Sequence, residues 1–148
     1  MKNLNLANSI KFVALAAAFG LAFSLILPGN TSSNAQAEGK VFELRVYKST
    51  PGNLANLQAR FRDHTMAIFE NHGMTNIGYW TPTDPELADD TLIYLLSHES
   101  RAAADASWRA FGQDPEWQRV AEASNANGQI LASVERTWLS SLDFSPMK

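Results

Sequence analysis

Three histidines carry the side chains best suited to proton transfer near neutral pH, because free imidazole titrates at about pH 6.5. His64 follows Phe61 by three residues and precedes Ile68 by four, a spacing that predicts the apolar stripe of a helix. On that stripe His64 would face a pocket between the helix and a sheet, as a general base or a haem ligand. The alternative is a histidine at the edge of the core whose ring bonds to a backbone carbonyl.

His72 and His98 are predicted at the ends of their elements. His72 stands before Gly73 in the last turn of the same helix, where a cation complements the helix dipole and the free carbonyls. His98 ends a strand, so it either lines the mouth of a pocket or is solvated. His64 and His72 are eight residues apart, whereas two metal ligands on one helix face are three or four apart. We therefore predict no metal site and no cofactor, with haem as the one alternative.

Glu43 and Arg45 alternate with apolar residues along the first predicted strand, residues 41–47. The apolar residues are expected to cover the core, which turns Glu43 and Arg45 toward the open face of the sheet and a dimer interface. There Arg45 would bind a small anion or a carboxylate. The alternative is an interface ion pair, either between the Glu43 and Arg45 of two protomers or with Glu135 and Arg136.

Aromatic side chains supply the remaining candidates for ligand binding. Phenolic hydroxyl groups donate hydrogen bonds, and tryptophan rings can form the walls of an aromatic site. A small core without disulfides also needs its tryptophans for packing, which is the alternative role. The residues predicted to bind a ligand are Arg45, Tyr47, Tyr79, Tyr94, His98 and Trp108.

Composition and missing motifs exclude several classes of protein. The 148 residues carry a formal net charge of -3, so the chain lacks the basic excess of a nucleic-acid-binding protein. It contains no cysteine, which excludes disulfides, iron–sulfur clusters and thiolate nucleophiles. It also lacks the G-x-S-x-G, Walker, dinucleotide-binding and H-E-x-x-H motifs of common hydrolases, NTPases, dehydrogenases and zinc proteases.

Residues 1–37 have the pattern of a secretory signal. Two lysines precede an uninterrupted apolar run, residues 12–27, and Ala35 and Ala37 provide the small residues that signal peptidase requires. The run is shorter than the about 20 residues that span a membrane, and an uncleaved anchor is the alternative. We therefore predict cleavage after Ala37 and export of residues 38–148 to a bacterial periplasm or the cell exterior, without membrane association after cleavage.

Periodicity predicts four strands and three helices in the exported domain, residues 38–148. The strands are expected over 41–47, 75–81, 91–98 and 130–142, and the helices over 54–72, 101–111 and 115–127. The order β-α-β-β-α-β is that of a ferredoxin-like α+β sandwich. Its helices cover one face of the sheet, so the other, partly apolar face needs a partner. A two-fold homodimer is the simplest solution.

These landmarks, in this order, resemble the NIPSNAP family within the dimeric α+β-barrel superfamily. The matching segments are FELRVY at 42–47, Pro51-Gly52, His72-Gly73, GYW at 78–80, Ser107-Trp108, DPEW at 114–117 and DFSP at 143–146. The resemblance implies a ferredoxin-like fold that forms a dimeric α+β barrel, and it implies no catalytic residues. Superfamily relatives include cofactor-independent monooxygenases, haem-degrading enzymes, isomerases and cyclases, so the fold leaves the function open.

We therefore expect an exported homodimer that holds a small apolar or aromatic molecule, as a binding or accessory module. One alternative is an enzyme of the cofactor-independent monooxygenase, isomerase or haem-handling kind, with His64 as its proton-transfer group. Another is a structural partner for a second envelope protein.

Overall fold

The computed structural model describes residues 39–148, and the predicted signal, residues 1–37, lies outside them. The described strands are β1 (Val41–Ser49), β2 (Thr75–Trp80), β3 (Thr91–His98) and β4 (Leu131–Ser140). The helices are α1 (Leu54–Arg60), α2 (Met66–Asn71), α3 (Pro85–Ala88), α4 (Arg101–Gln113) and α5 (Pro115–Ser124), and a π-helical turn, Phe61–Thr65, joins α1 to α2. Within residues 39–148, no helix combines the length and the apolar character needed to cross a membrane.

The four strands form one antiparallel sheet in the order β2-β3-β1-β4. The two apolar strands, β1 and β3, lie in the centre, and β3 has the predicted bounds. Helices pack on one face, so the predicted ferredoxin-like α+β fold is confirmed. The short helix α3 was not predicted, because the polar, acidic sequence from Pro82 to Asp90 is typical of a loop.

The two faces of β1 are the reverse of the prediction. Tyr47 belongs to the core beneath the helices, and Glu43 contacts Trp108 of α4, so the odd-numbered residues of β1 face the helices. Phe42, Leu44 and Val46 therefore lie on the open face of the sheet. This strand has apolar residues on both faces, so alternation alone does not show which face is covered. Glu43 and Arg45 can be buried together because their opposite charges satisfy each other.

The π-helical turn explains why His64 is not on the buried stripe. Phe61 and Thr65, the first and last residues of this turn, are buried, whereas the three residues between them are exposed. A π turn contains an extra residue, so it rotates the following helix relative to an uninterrupted 3.6-residue period. His64 is consequently exposed, and its predicted inward position is wrong.

The helices of the second half begin where the sequence predicts. Ser100 accepts a hydrogen bond from Ala103 N at 3.0 Å, and Asp114 caps α5 before Pro115. Helix α5 ends at Ser124, before Gly128, which has φ +115° in the following turn. These two helices leave the edge strand β4 largely uncovered.

The exposure of β4 corrects the prediction for its inward residues. The amphipathic pattern of the fourth strand predicts Val134 and Trp138 as its inward residues, but the exposed fraction of Val134 is 41%. Trp138 is half-buried against His98, with ring centroids 5.7 Å apart. Both residues lie on the helix-facing side of β4, opposite Tyr47 and Glu43.

The open face of the sheet is apolar at its centre. Cross-strand pairs Leu44–Leu95 and Val46–Ile93 lie side by side there. Exposed Trp80 borders Ile93. A shallow cavity separates one end of this face from the C-terminal segment 141–147, beside Phe42 and Leu95. The surface formed by Leu44, Val46, Trp80, Ile93 and Leu95 is called the open face.

Candidate functional site

A buried ionic network lies where the first half of β1 passes beneath α4. The Glu43 side chain has no exposure, and its Oε1 accepts a hydrogen bond from Arg45 Nε at 2.8 Å and forms an ion pair with Arg45 Nη2 at 2.7 Å. Its Oε2 accepts one from Trp108 Nε1 at 2.7 Å and lies 2.9 Å from His98 Nε2. These four residues, Glu43, Arg45, His98 and Trp108, form the ionic network.

The surroundings of Glu43 keep its carboxyl group ionised. Burial by itself raises the pKa of Glu43, but the His98 hydrogen bond, the Arg45 charge and the Trp108 hydrogen bond together outweigh burial. The pKa of Glu43 therefore lies below its ordinary value of 4.5. At neutral pH this carboxylate is an internal counter-ion that fixes the position of Arg45.

Arg45 is held rigidly and retains free donors. Its guanidinium group lies 3.8 Å from the centre of the Trp108 ring, and Nη1 donates to Tyr47 Oη at 3.3 Å. Nε donates to Glu43 and Nη1 donates to Tyr47, so the guanidinium group keeps further N–H groups for another acceptor. The Arg45 side chain is 12% exposed.

Three buried polar atoms in or beside this network have no hydrogen-bond partner among the described residues. They are the hydroxyl oxygen of Tyr94, Nδ1 of His98, and Nε1 of Trp138, whose ring packs against His98. Burial and the neighbouring Tyr47 hydroxyl group raise the pKa of Tyr94 well above its ordinary value, so the Tyr94 hydroxyl group stays protonated and can donate. Native proteins satisfy the great majority of such groups, so the Tyr94 hydroxyl group indicates a place where a ligand can bind.

Aromatic rings surround the Tyr94 ring. Phe61, in the π-helical turn, lies 5.7 Å from Tyr47, 5.1 Å from Tyr94 and 5.8 Å from Tyr79, measured between ring centroids. Tyr79 stacks on Tyr94 at 5.4 Å. The π-helical turn therefore lies directly over the three tyrosines, and π turns are frequent at functional sites.

A groove of about 360 Å³ runs between this turn and β2. The aromatic groove, as it is called here, is walled mainly by Phe61, Met66, Tyr79, Trp80 and Leu92. Its volume is within the range of small-molecule pockets, and such sites are mostly apolar. The hydroxyl group of Tyr79 donates to Asn76, so it has a partner within the protein.

The structure brings most of the predicted ligand residues together. Arg45, Tyr47, Tyr94, His98 and Trp108 lie in or beside the ionic network, and Tyr79 lies in the adjoining groove. They share the helix-facing side of the sheet, not the open face where Arg45 was predicted. The alternative ion pairs with Glu135 and Arg136 are also wrong, because Arg45 bonds to Glu43 of its own strand.

The other two histidines lie apart from this cluster. His64 lines a different, polar groove between α1 and α5. His72 is the C-cap residue of α2, but its ring lies 2.6 Å from Asp114 Oδ2 and does not bond to the helix carbonyls. The His72 hydrogen bond lowers the pKa of Asp114. Within residues 39–148, no group of three or more His, Cys, Asp or Glu side chains could hold a metal ion.

Two features of the interior were missed in the sequence. Glu43 was predicted on the open face at a dimer interface, although it bonds to residues that are 55 and 65 positions away in the interior. Arg60 was not considered at all, yet it is among the buried residues of α1. The only signal for Arg60 was its position three residues after Leu57 on the apolar stripe.

Comparisons with known proteins agree on the fold. The model of the NIPSNAP family matches residues 42–146. A NIPSNAP family protein from Agrobacterium tumefaciens is 21% identical with a TM-score of 0.64, over 74% of this chain and 99% of that one. A NIPSNAP-like domain protein from Burkholderia xenovorans is 20% identical with a TM-score of 0.63, over 74% and 90%. A comparison with curated proteins found no match.

Proposed function

Because this chain belongs to the NIPSNAP family, whose model covers nearly all of its described domain, we propose that it is an exported homodimer that binds a small molecule. The ligand is mostly aromatic or apolar and carries one hydrogen-bond-accepting end, such as a carboxylate. It binds between the helices and the sheet, with its ring in the aromatic groove. Export is supported by the signal pattern of residues 1–37, and dimerisation by the apolar open face.

The observation that carries the ligand proposal is the buried, unpartnered hydroxyl group of Tyr94. Leaving such a donor unsatisfied costs about 1–3 kcal/mol, which a ligand acceptor would recover. The free N–H groups of Arg45 lie in the same interior and provide a cationic anchor. Access requires a small displacement of the π-helical turn, because Phe61 covers the tyrosines.

An enzyme that uses His64 for proton transfer gains no support from this geometry. His64 is exposed and lies in the polar groove, away from Tyr94 and the ionic network. A binding module is therefore the function that the site supports best.

Removing the Tyr94 hydroxyl group tests the ligand site. The probe is 1-naphthoate, which combines an aromatic ring system with a carboxylate, and calorimetry measures its affinity. The Tyr94→Phe substitution is expected to weaken binding about fivefold, the equivalent of one hydrogen bond of about 1 kcal/mol. Thermal stability should stay the same or rise, because an unsatisfied buried donor disappears.

The Tyr79→Phe substitution is the matched control for this experiment. It also removes one phenolic hydroxyl group beneath the helices, but that group is already bonded to Asn76. We expect Tyr79→Phe to lower stability and to leave the affinity for 1-naphthoate nearly unchanged. Equal affinities of the wild type and Tyr94→Phe, or no binding by the wild type, would overturn the proposed site.

A further inference from the structure

Arg60, at the end of α1, is a buried cation without a counter-ion. It is only 7% exposed, and its Nε atom has no hydrogen-bond partner. Nη1 donates to Ser124 Oγ at 3.3 Å, and the guanidinium group lies 5.3 Å from the Trp117 ring. Among the ion pairs of residues 39–148, none involves Arg60.

Such an arrangement is costly for an arginine. Buried charges in proteins are normally paired, because moving a cation out of water without a compensating anion is unfavourable. Burial accordingly lowers the pKa of the Arg60 guanidinium group. By contrast, the other strongly buried arginine, Arg45, has the carboxylate of Glu43 beside it. Arg60 therefore lacks the partner that the same interior provides for Arg45.

Arg60 opens onto the polar groove between α1 and α5, which has a volume of about 370 Å³. Side chains able to donate or accept hydrogen bonds line this groove; they include Asn53, Asn56, His64, Ser124 and Asn127. None of these residues belongs to the aromatic groove. The lining suits a hydrophilic molecule rather than an aromatic one.

The charges facing the polar groove are mainly positive. Arg60 and Arg119 contribute two cations. Asp63 is the one carboxylate in the lining. Arg119 is largely exposed and lies 4.0 Å from Glu116, a distance at which the pair is weak. The groove therefore favours an anion over a cation.

We propose that the polar groove is a second binding site, which takes a small hydrophilic oxyanion, a carboxylate or a phosphate, through the guanidinium group of Arg60. The planar guanidinium fork can bond to two oxygens of such a group at once. Asparagine and serine side chains then bind the hydroxyl groups of the same molecule. This site goes beyond the proposed function, because it accepts a different class of ligand at a different place.

Titration with inorganic phosphate and with acetate tests the site. Calorimetry is carried out at pH 7 with sodium chloride adjusted to constant ionic strength, so that general screening does not change. The substitution Arg60→Met removes the charge but keeps an unbranched side chain of similar length for the buried stem. We expect it to weaken binding of the preferred anion at least tenfold, whereas Arg109→Met on the exposed face of α4 should not change it.

Two further measurements separate loss of the site from loss of the fold. Arg60→Lys keeps a cation but removes the planar fork, so we expect a folded protein with affinity reduced several-fold. In the wild type, anion addition should shift the amide NMR signals of Asn56, Ser124 and Asn127 and leave those of Tyr79 and Leu92 in place. Preference for phosphate or for acetate then identifies which oxyanion the groove accepts.

The proposal is overturned if neither anion binds the wild type at concentrations up to about 10 mM, which would detect a Kd near 1 mM. It is equally overturned if Arg60→Met binds as well as the wild type. Binding of 1-naphthoate is measured on the same variants. If Arg60→Met loses the anion but still binds 1-naphthoate, the two grooves are independent sites. Either proposal can then fail without the other.

Discussion

Replacing Glu43 by alanine is expected to lower the free energy of unfolding by about 3–5 kcal/mol, the usual cost of removing one partner of a buried ion pair. Arg45, His98 and Trp108 lose their shared hydrogen-bond partner at once, and Arg45 also loses its ion pair. Arg45 then becomes a buried cation without an anion. Urea denaturation, at one fixed protomer concentration because the protein is expected to dimerise, measures the change.

Glu122→Ala is the control for this substitution. Glu122 is exposed on α5, so its loss is expected to change the free energy of unfolding by less than about 0.5 kcal/mol. A similar small change for Glu43→Ala would contradict the central role assigned to the carboxylate of Glu43.

Acid should reproduce part of the Glu43 effect. The pKa of Glu43 is lower in the folded protein than its ordinary value of 4.5, so ionisation stabilises the fold above that value. This stability is lost as the pH falls from 4.5 through the lower pKa of the folded state. The difference in stability between the wild type and Glu43→Gln should therefore shrink over that acidic window. A difference that is independent of pH would show that Glu43 is not ionised in the fold.

Placing a charge on the open face is expected to convert the proposed dimer to a monomer. Ile93 lies at the centre of that face, between Val46 and Trp80 on the neighbouring strands. A two-fold axis places each substitution in the interface twice. If each of the two lysines costs about 2 kcal/mol of association free energy, Ile93→Lys should raise the dissociation constant of the dimer about 10³-fold. Analytical ultracentrifugation of both proteins measures the dissociation constants.

The control for dimerisation is Val134→Lys. Val134 is also an exposed apolar strand residue, but it lies on the helix-facing side of β4. We expect this variant to dimerise like the wild type. A wild-type protein that sediments as a monomer would contradict the homodimer, as would an Ile93→Lys variant that stays dimeric.

The fold was predictable because local signals agree with the tertiary structure. The alternating and apolar patterns located β1 and β3, and Asp114-Pro115 marked the start of α5 within one residue. The order of strands and helices then determined the ferredoxin-like topology. None of these inferences depends on which side chains meet across the interior.

The site was only partly predictable, because its residues meet through long-range contacts. Tyrosines, Arg45, His98 and Trp108 were selected for their chemistry, and they do lie together. Glu43, the common partner of Arg45, His98 and Trp108, was placed on the wrong face, since an alternating pattern cannot show that both faces of a central strand are buried or apolar. His64 was misplaced because one extra residue in the π-helical turn rotates the helix, and nothing in its periodicity marks that residue.

Native mass spectrometry of the protein recovered from the envelope of its own host tests the central claim most directly. The account predicts a dimer of residues 38–148 that carries a discrete additional mass of one small molecule per protomer. The Tyr94→Phe variant, recovered in the same way, should carry less of it. A dimer without additional mass that also gains none when 1-naphthoate is added would contradict the proposed binding function.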